Sequence, residues 1–270
     1  MYRNVVVVTE MDRAELEKES SLLYWYPKIR GVLPTPRTRI VHLDGVDPWG
    51  VLDGEPLDEK LLCRLRSACA RIGYPVFLRS DQASGKHQWN ETCFVPNEEA
   101  LFSHVYRLIE WHACAGIMGM DMEAFVVREL LDLESTFKAF RGMPVAKERR
   151  YFVRDGEVEC WHPYWPEDAF PRYNANLPED WRERLRRLNA PRPGEVECLT
   201  QMAALFGEKN PGWWSVDFAK VATTQSWILI DAARGELSWH PEECPYSPNH
   251  GKPRPDGSIP ARVTLEELVS

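Results

Sequence analysis

Two aspartates stand alone within apolar, strand-like segments in the last third of the chain. Asp217 lies in WWSVDFAKV and Asp231 lies in SWILIDAA. A buried carboxylate without a partner is costly, so each aspartate needs a cation or a hydrogen-bond donor nearby. If the two strands are neighbours, both carboxylates could bind Mg²⁺, which proteins hold by one or two carboxylates together with nucleotide phosphates. The alternative is that each aspartate pairs with an arginine or caps a turn.

Two cations flank a turn of small residues earlier in the chain. Arg79 lies on the apolar strand PVFLRS, and Ser84, Gly85 and Lys86 follow in the next loop. A glycine lets backbone amides approach an anion closely, and the two cations add charge, so this loop could fold over phosphates. Ordinary surface turns also contain this tripeptide. The loop is not a P-loop, because the pattern G-x-x-x-x-G-K-[ST] is absent.

The segment KERRYFVRDGEV carries charge on both faces of a predicted strand. Alternation of side chains places Glu148 and Arg150 on one face and Arg149 and Tyr151 on the other. From this segment alone we favour a solvated edge strand, whose charges discourage aggregation. The functional alternative directs Arg150 inward, onto a phosphate.

A Cys-x-His pair and a His-x-x-x-Cys pair are the closest approach to a transition-metal motif. They are Cys160 with His162 and His240 with Cys244. Neither spacing is that of a standard zinc knuckle, and cysteine is commonly a buried core residue, so we disfavour a zinc site. The chain has seven cysteines and no C-x-x-C pair, which fits a reducing compartment.

Short strand-like runs and several helical patterns must position these residues, which predicts a mixed α+β chain. The predicted strands are residues 5–9 and 40–43 and the segments PVFLRS, ETCFV, AFVVRELLDL, PVAKERRYFVRD, EVECWHPYW, WWSVDFAKV and SWILIDAA. The predicted helices are residues 11–23 and the segments LDEKLLCRLRSACARIG, NEEALFSHVYRLIEWHACAG, DWRERLRRLN and EVECLTQMAALFG. A basic loop joins PVFLRS to ETCFV in a hairpin.

Composition limits the class of protein. The 270 residues carry a formal charge of -8, which disfavours broad binding to nucleic acid. The opening apolar run is too short for a secretory signal, and no stretch of the sequence approaches the length of a membrane span. We therefore expect a cytoplasmic protein without a membrane partner.

Taken in order, the motifs PVFLRSDQASGKHQW, FVVRELLDLE, PVAKERRYFV, WSVDFA and WILIDAA resemble the ATP-grasp superfamily over residues 70–243. They are most similar to its bacterial and phage branch, in which arginine replaces the first nucleotide-binding lysine. The eukaryotic cell-division-cycle 123 proteins are distantly similar. The resemblance implies two α+β lobes that clasp a nucleotide, at residues 71–128 and 129–270, with a polar C-terminal tail. A small α/β leading lobe, residues 1–70, would precede them.

The resemblance also implies a role for each cation at an ATP site. Arg79 would contact the α- or β-phosphate, Lys86 would lie in a mobile loop over the phosphates, and Arg150 would contact the γ-phosphate. Arg150 and Lys86 are the two catalytic candidates. The interlobe hinge would present its backbone to the adenine, and its residues are Arg128, Glu129, Leu130 and Leu131. Glu134 would reach the ribose or Lys138, although a solvated position is the interpretation we favour.

Asp217 and Asp231 match the metal-binding carboxylates of the superfamily. The usual final strand ends in acidic-x-Asn, whereas this chain has Ala233 after Asp231 and Ala232, which leaves the number of Mg²⁺ ions open. Glu236 or Ser238 could replace the asparagine, although solvent-facing turn residues are the simpler interpretation.

The resemblance implies an ATP- and Mg²⁺-dependent ligase that joins a carboxylate to an amine through an acyl phosphate. Such an enzyme positions reactants and neutralises charge, and needs no side-chain nucleophile. Its substrate would be a small molecule or a peptide. The alternative is a non-ligase ATP-binding protein that assists assembly of, or modifies, a macromolecular partner, as the eukaryotic relatives assist assembly of a translation factor. His162 could act as a base, although a structural histidine is the simpler interpretation.

Overall fold

The computed structural model describes residues 10–116, 121–170 and 176–252. The predicted strand at residues 5–9 and the end of the C-terminal tail lie outside these ranges. The helices are α1 Glu10–Ser20, α2 Leu22–Ile29, α3 Glu59–Ile72, α4 Glu98–Gly116, α5 Trp181–Asn189 and α6 Glu195–Lys209. The strands are β1 Thr38–His42, β2 Val76–Ser80, β3 Phe94–Val95, β4 Ala124–Glu129, β5 Ser135–Ala139, β6 Met143–Ala146, β7 Glu148–Arg154, β8 Glu157–Pro163, β9 Trp213–Lys220 and β10 Trp227–Arg234.

The first sheet has four strands in the order β1-β4-β2-β3, all antiparallel. Helix α3 packs on β1 and β4, and α4 packs on β2 and β3. Asp58 caps α3 by accepting a hydrogen bond from the backbone N–H of Leu61 at 2.7 Å. The helix ends before Gly73, whose φ of 94° suits glycine. Apolar residues at helical spacing along α3, including Leu61 and Leu65, are fully buried against this sheet.

The second sheet has four strands in the order β10-β9-β7-β8. Helix α6 packs on β7, β8 and β9, and α1 and α2 pack on β10. Large aromatic residues fill the core between these helices and the sheet, and Trp25, Phe206 and Trp214 are fully buried. A two-stranded sheet, β5-β6, lies beside α5 over a third, aromatic cluster.

The α+β class predicted from the sequence is confirmed, and two of its elements are corrected. The helix predicted at residues 11–23 divides at Ser21, whose hydroxyl accepts from the backbone N–H of Leu23 at 3.2 Å and starts a second helix. This second helix, α2, contains Pro27. The strand predicted for PVAKERRYFVRD divides at Lys147 into β6 and β7, which belong to different sheets.

The lobe boundaries at residues 70 and 128 stay a prediction. Strand β1, from the leading segment, pairs with β4 over Thr38–His42, so the leading segment contributes a strand to the first sheet. Among the described residues, no helix has the length and apolarity that a bilayer crossing requires.

Candidate functional site

A cavity of about 440 Å³ lies where the three sheets meet, which is a volume typical of small-molecule sites. Its wall contains most of the residues proposed from the sequence, namely Arg79, Lys86, Arg128, Glu129, Leu130, Leu131, Asp217 and Asp231. Arg150 does not line the cavity, but its guanidinium contacts Asp217 in the cavity wall. Segments far apart in the sequence therefore converge on one cavity.

The register of the second sheet brings three of these residues to one face. Asp217 of β9 lies directly opposite Arg150 of β7 on one side and Asp231 of β10 on the other. Residues opposite each other in antiparallel strands project to the same side. Nε and Nη2 of Arg150 donate to the two carboxylate oxygens of Asp217, each at 2.8 Å. Burial alone would lower the pKa of Arg150, but the contact with Asp217 outweighs it and raises that pKa.

Strand β7 lies between β9 and β8. The edge-strand interpretation, which its charges favoured, is therefore wrong. Both neighbouring strands fix the face of Arg150, which is turned toward Asp217 in the cavity wall, and its charge is matched by that carboxylate rather than by solvent.

Arg79 and Asp231 form a second cation–carboxylate pair across the cavity. Nη1 of Arg79 is 2.9 Å from Asp231 Oδ1. The Arg79 side chain is almost completely buried, whereas 35% of the Asp231 side chain is exposed. The pair therefore links β2 of the first sheet to β10 of the second at a point that a ligand can reach.

Lys86 forms a third pair, with Glu148 of β7. Its ammonium is 3.3 Å from Glu148 Oε2 and lies 3.9 Å above the ring of Tyr164. Trp165 donates its indole N–H to the other Glu148 oxygen at 3.2 Å. Burial raises the pKa of Glu148. Burial alone would lower the pKa of Lys86, but Glu148, Tyr164 and Asp217 together outweigh it and raise that pKa. The mobility of this loop stays a prediction.

Arg128 was proposed from the sequence only for its backbone, but its side chain also lines the cavity. Its Nη1 donates to the carbonyl of Ile230, and its Nε and Nη2 have no hydrogen-bond partner within the described parts of the chain. Burial first, and the nearby charge of Arg79 second, lower the pKa of Arg128 to about 9. Two buried donors are thus available to an anion. The sequence did contain a signal for this side chain: Arg128 is a charged residue near the end of the apolar segment AFVVRE, and side chains alternate between the two faces of such a strand.

The carboxylates of the cavity fit a hard divalent cation. Glu148, Asp217 and Asp231 all line it, and oxygen ligands of this kind are those that Mg²⁺ prefers. Glu148 was not among the metal ligands proposed from the sequence, although alternation had placed it on the face of Arg150. Ala233 lies opposite Ser215 in the register. Its side chain is a methyl group, so it offers no metal ligand.

Other candidates from the sequence occupy structural positions. Glu134 binds Arg192, with oxygen–nitrogen distances of 2.6 and 3.0 Å, rather than Lys138. Glu236 binds Arg234, and the hydroxyl of Ser238 is 2.5 Å from that of Ser215. None of these three residues lines the cavity.

His162 does not face the cavity. Its ring centroid is 5.1 Å from that of His240, and these two histidines gather with Cys160 and Cys244 beside β8. The role of His162 as a base is therefore unsupported. The sequence spacing, which disfavoured a cluster, did not predict that these four side chains meet.

A family model described as an ATP-grasp domain, clade family 3, matches residues 70–253. Among solved structures, the chain is similar to Cdc123 from Schizosaccharomyces pombe, with a TM-score of 0.53 and 11% identity over 82% of this chain and 85% of that chain. It is also similar to D-alanine–D-alanine ligase from Bacillus anthracis complexed with ATP, with a TM-score of 0.40 and 11% identity over 81% and 56% of the two chains. A search of the curated proteins found no match.

Proposed function

Because the chain belongs to this family of ATP-grasp domains, we propose that its cavity binds ATP with Mg²⁺ and that it is a ligase joining a carboxylate to an amine. One observation carries the proposal. Three cation–carboxylate pairs stand in or against a single cavity, and they are Arg79–Asp231, Lys86–Glu148 and Arg150–Asp217.

Binding of Mg²⁺ and ATP would exchange the partners within these pairs. Phosphate oxygens are strong acceptors for arginine and lysine, so Arg79, Lys86 and Arg150 would turn from carboxylates to phosphates. The released carboxylates, Asp217 and Asp231 foremost, would then be free to hold Mg²⁺. When bound, Mg²⁺ neutralises charge on the β- and γ-phosphates. Arg128 offers two further donors, Nε and Nη2, which have no partner among the described residues.

The hinge segment supports an adenine site in the same cavity. Leu130 and Leu131 follow β4 and line the wall, together with Phe77, Phe94 and Met143. An apolar slot beside the backbone of a hinge suits a flat base, because the ring is buried while the backbone fixes its orientation. We place the adenine there and the phosphates toward Arg79.

The proposed chemistry needs positioning rather than a nucleophilic side chain. A substrate carboxylate attacks the γ-phosphate of ATP, ADP leaves, and an acyl phosphate forms. An amine then attacks the acyl carbon and inorganic phosphate leaves. Arg150 and Lys86 are the residues that would stabilise charge on the transferring phosphate, in a site where burial strengthens electrostatic interactions. The substrate acid and amine would be small molecules or parts of a peptide.

A second function is favoured by one feature. Ala233 stands where the superfamily usually has an asparagine ligand, so the metal shell lacks a customary member. If this weaker metal shell does not support formation of an acyl phosphate, the protein would instead bind ATP to assist or modify a macromolecular partner.

The binding proposal is tested by calorimetry of ATP with Mg²⁺. We expect the wild type to bind, and Arg79→Ala and Asp231→Asn to bind at least about tenfold more weakly, since each loses a charged contact. Arg154→Ala is the matched control, because Arg154 is likewise an arginine paired with a carboxylate, that of Glu159, but 45% of its side chain is exposed and it does not line the cavity. An unchanged affinity in both site variants would overturn the site.

The reaction is tested by release of ADP and phosphate from panels of carboxylates and amines that include amino acids and peptides. Release that requires both a carboxylate and an amine, and that Arg150→Lys reduces, is the expected result. If ATP binds and no combination releases ADP, the ligase proposal fails and the partner-directed function is favoured.

A further inference from the structure

Two cysteines and two histidines meet beside β8, apart from the nucleotide cavity. One potential ligand atom from each of Cys160, His162, His240 and Cys244 lies within 4.8 Å of the other three. Cys160 Sγ is 3.2 Å from His240 Nε2. None of the four lines the cavity that holds Arg79 and Asp231.

The fold creates this cluster from two pairs whose spacing in sequence is not that of a standard zinc knuckle. Cys160 and His162 are two residues apart on β8 and therefore project from the same face. His240 and Cys244 lie in the turn that follows β10, where the backbone N–H of Cys244 donates to the carbonyl of Pro241 at 3.2 Å. The turn folds back over β8, so the two Cys–His pairs together form a set of four potential ligands.

Two of the four residues are buried, and Cys160 and His162 are half-buried. His240 is 5% exposed and Cys244 is 6% exposed. The ring of Phe152 stacks on His240 with centroids 3.9 Å apart. Nε2 of His162 and Nδ1 of His240 are buried without a hydrogen-bond partner in the described part of the chain. A buried polar atom without a partner is costly, and a bond to a metal is one way to satisfy an imidazole nitrogen.

We propose that Cys160, His162, His240 and Cys244 bind one Zn²⁺ as a closed structural site. Two cysteines and two histidines are a common tetrahedral set for structural zinc. Bonds of about 2.3 Å to sulfur and about 2.0 Å to nitrogen place tetrahedral ligand atoms about 3.3 to 3.8 Å apart, so a small contraction of the cluster is sufficient. Binding releases the two thiol protons to solvent, and the resulting thiolates neutralise the charge of the ion. No position is left open for water, which excludes a catalytic role for this ion.

The zinc would fasten the segment after β10 to the second sheet. Residues 238–252 form turns and bends without helix or strand, so few backbone hydrogen bonds hold them. The carbonyl of Trp239, next to His240, accepts a hydrogen bond from Nη1 of Arg150 at 3.2 Å. The site therefore also fixes a group that contacts Arg150, although zinc binding itself does not depend on the proposed function.

Zinc content is measured by native mass spectrometry and elemental analysis of tag-free protein purified without chelators. We expect one zinc per chain in the wild type and in Cys63→Ser, a control at an exposed cysteine, and loss of zinc in Cys160→Ser and Cys244→Ser. Wild-type protein that takes up no zinc when zinc is supplied overturns the proposal. So does a wild-type mass lower by two hydrogens, which would indicate a disulfide, or full zinc occupancy in both cysteine variants.

X-ray absorption of the wild type decides the matter if the cysteine variants do not fold. We expect two sulfur ligands at about 2.3 Å and two nitrogen ligands at about 2.0 Å. A shell of oxygen and nitrogen ligands alone would place the zinc elsewhere and overturn the assignment. Removal of zinc should lower the melting temperature and expose residues 238–252 to protease. If a chelator that removes the zinc changes neither the melting temperature nor the cleavage, the structural role is contradicted.

Discussion

Arg149 and Arg150 are neighbours on β7, and each is held by a carboxylate, but they serve different regions of the molecule. Nε of Arg149 donates to Glu195 at 2.7 Å in a core where its side chain has no exposure. Lys147 joins the same carboxylate at 3.3 Å. Arg150 donates to Asp217, which lines the cavity. Alternation along one strand thus separates a structural ion network from a candidate ligand site.

Both guanidiniums are fully hydrogen-bonded within the protein, because Arg150 donates to both oxygens of Asp217 and to the carbonyl of Trp239. The difference lies in whether a ligand can reach the acceptors. Every nitrogen of Arg149 has a protein acceptor, from Glu195 and from the carbonyls of Glu148, Leu188 and Ala190. Glu195, Leu188 and Ala190 do not line the cavity, so Arg149 is closed to a ligand. The partner of Arg150 instead faces a cavity, where a phosphate and a cation can divide the pair. Availability to exchange partners, rather than charge, distinguishes the two faces.

The largest expected effect comes from breaking the structural network with Glu195→Ala. Arg149 and Lys147 would then be buried without a carboxylate, which should lower the free energy of unfolding by about 3–5 kcal/mol. Urea denaturation measures the loss. Glu197→Ala, at an exposed position on the same helix, should change it by no more than about 0.5 kcal/mol. A loss below about 1 kcal/mol for Glu195→Ala would contradict the buried-network interpretation.

Arg150→Met tests the other face of the strand. The dissociation constant of ATP with Mg²⁺ should rise by about 10- to 100-fold, because charge-assisted hydrogen bonds to phosphate are lost. The free energy of unfolding should fall less than in Glu195→Ala, since Asp217 can be hydrated from the cavity. Calorimetry and urea denaturation on the same sample measure both. Unchanged nucleotide affinity with a large stability loss would reverse the comparison.

Each face of β7 has a lysine: Lys147 shares Glu195 with Arg149, and Lys86 pairs with Glu148, which is on the face of Arg150. The ordinary pKa of both is 10.5, and we expect their contributions to stability to depend on pH in opposite ways. Burial, and then Arg149, lower the pKa of Lys147, so its charge costs stability at neutral pH and this cost disappears as pH rises toward 10.5. The pKa of Lys86 is raised because Glu148, Tyr164 and Asp217 together outweigh burial, so its contribution is fully present below 10.5 and is lost above it.

Urea denaturation between about pH 8 and pH 10 separates these contributions. The unfolding free energy of the wild type minus that of Lys147→Met should increase with pH, whereas the same difference for Lys86→Met should stay flat. Lys209→Met, at an exposed position, is the control. Parallel behaviour of Lys147→Met and Lys86→Met would contradict the assigned pKa shifts.

The smallest effect is expected at Glu134, whose partner Arg192 is about half exposed. An ion pair of this kind contributes about 0–1 kcal/mol. Glu134→Gln should therefore leave both the unfolding free energy and the ATP dissociation constant nearly unchanged. A tenfold rise in the ATP dissociation constant would instead support the ribose contact that the superfamily resemblance implies.

Some features could be predicted because their causes are local in sequence. An aspartate within an apolar strand must find a partner, so Asp217 and Asp231 could be singled out, and their strands do pair in register. The order of the motifs further predicted a fold that the family match confirms. The end of α3 at Gly73 was likewise visible in the sequence.

Other features depend on long-range pairing that no single segment encodes. The position of β7 within its sheet decides whether its charges face solvent, and the sequence favoured the edge. The side chain of Arg128 is held by the carbonyl of Ile230, which depends on β10 lying beside it. Cys160 and Cys244 meet because the turn after β10 folds over β8, whereas the spacing within each pair argued against a zinc site.

The most direct test of partner exchange is calorimetry of ATP with Mg²⁺ and with EDTA, for the wild type and for a variant carrying both Asp217→Asn and Asp231→Asn. Mg²⁺ should tighten ATP binding to the wild type by at least about tenfold, because the carboxylates that leave Arg79 and Arg150 hold the ion. The variant should lose this dependence on Mg²⁺. Equal affinity of the wild type in Mg²⁺ and EDTA, or no ATP binding at all, would contradict the exchange.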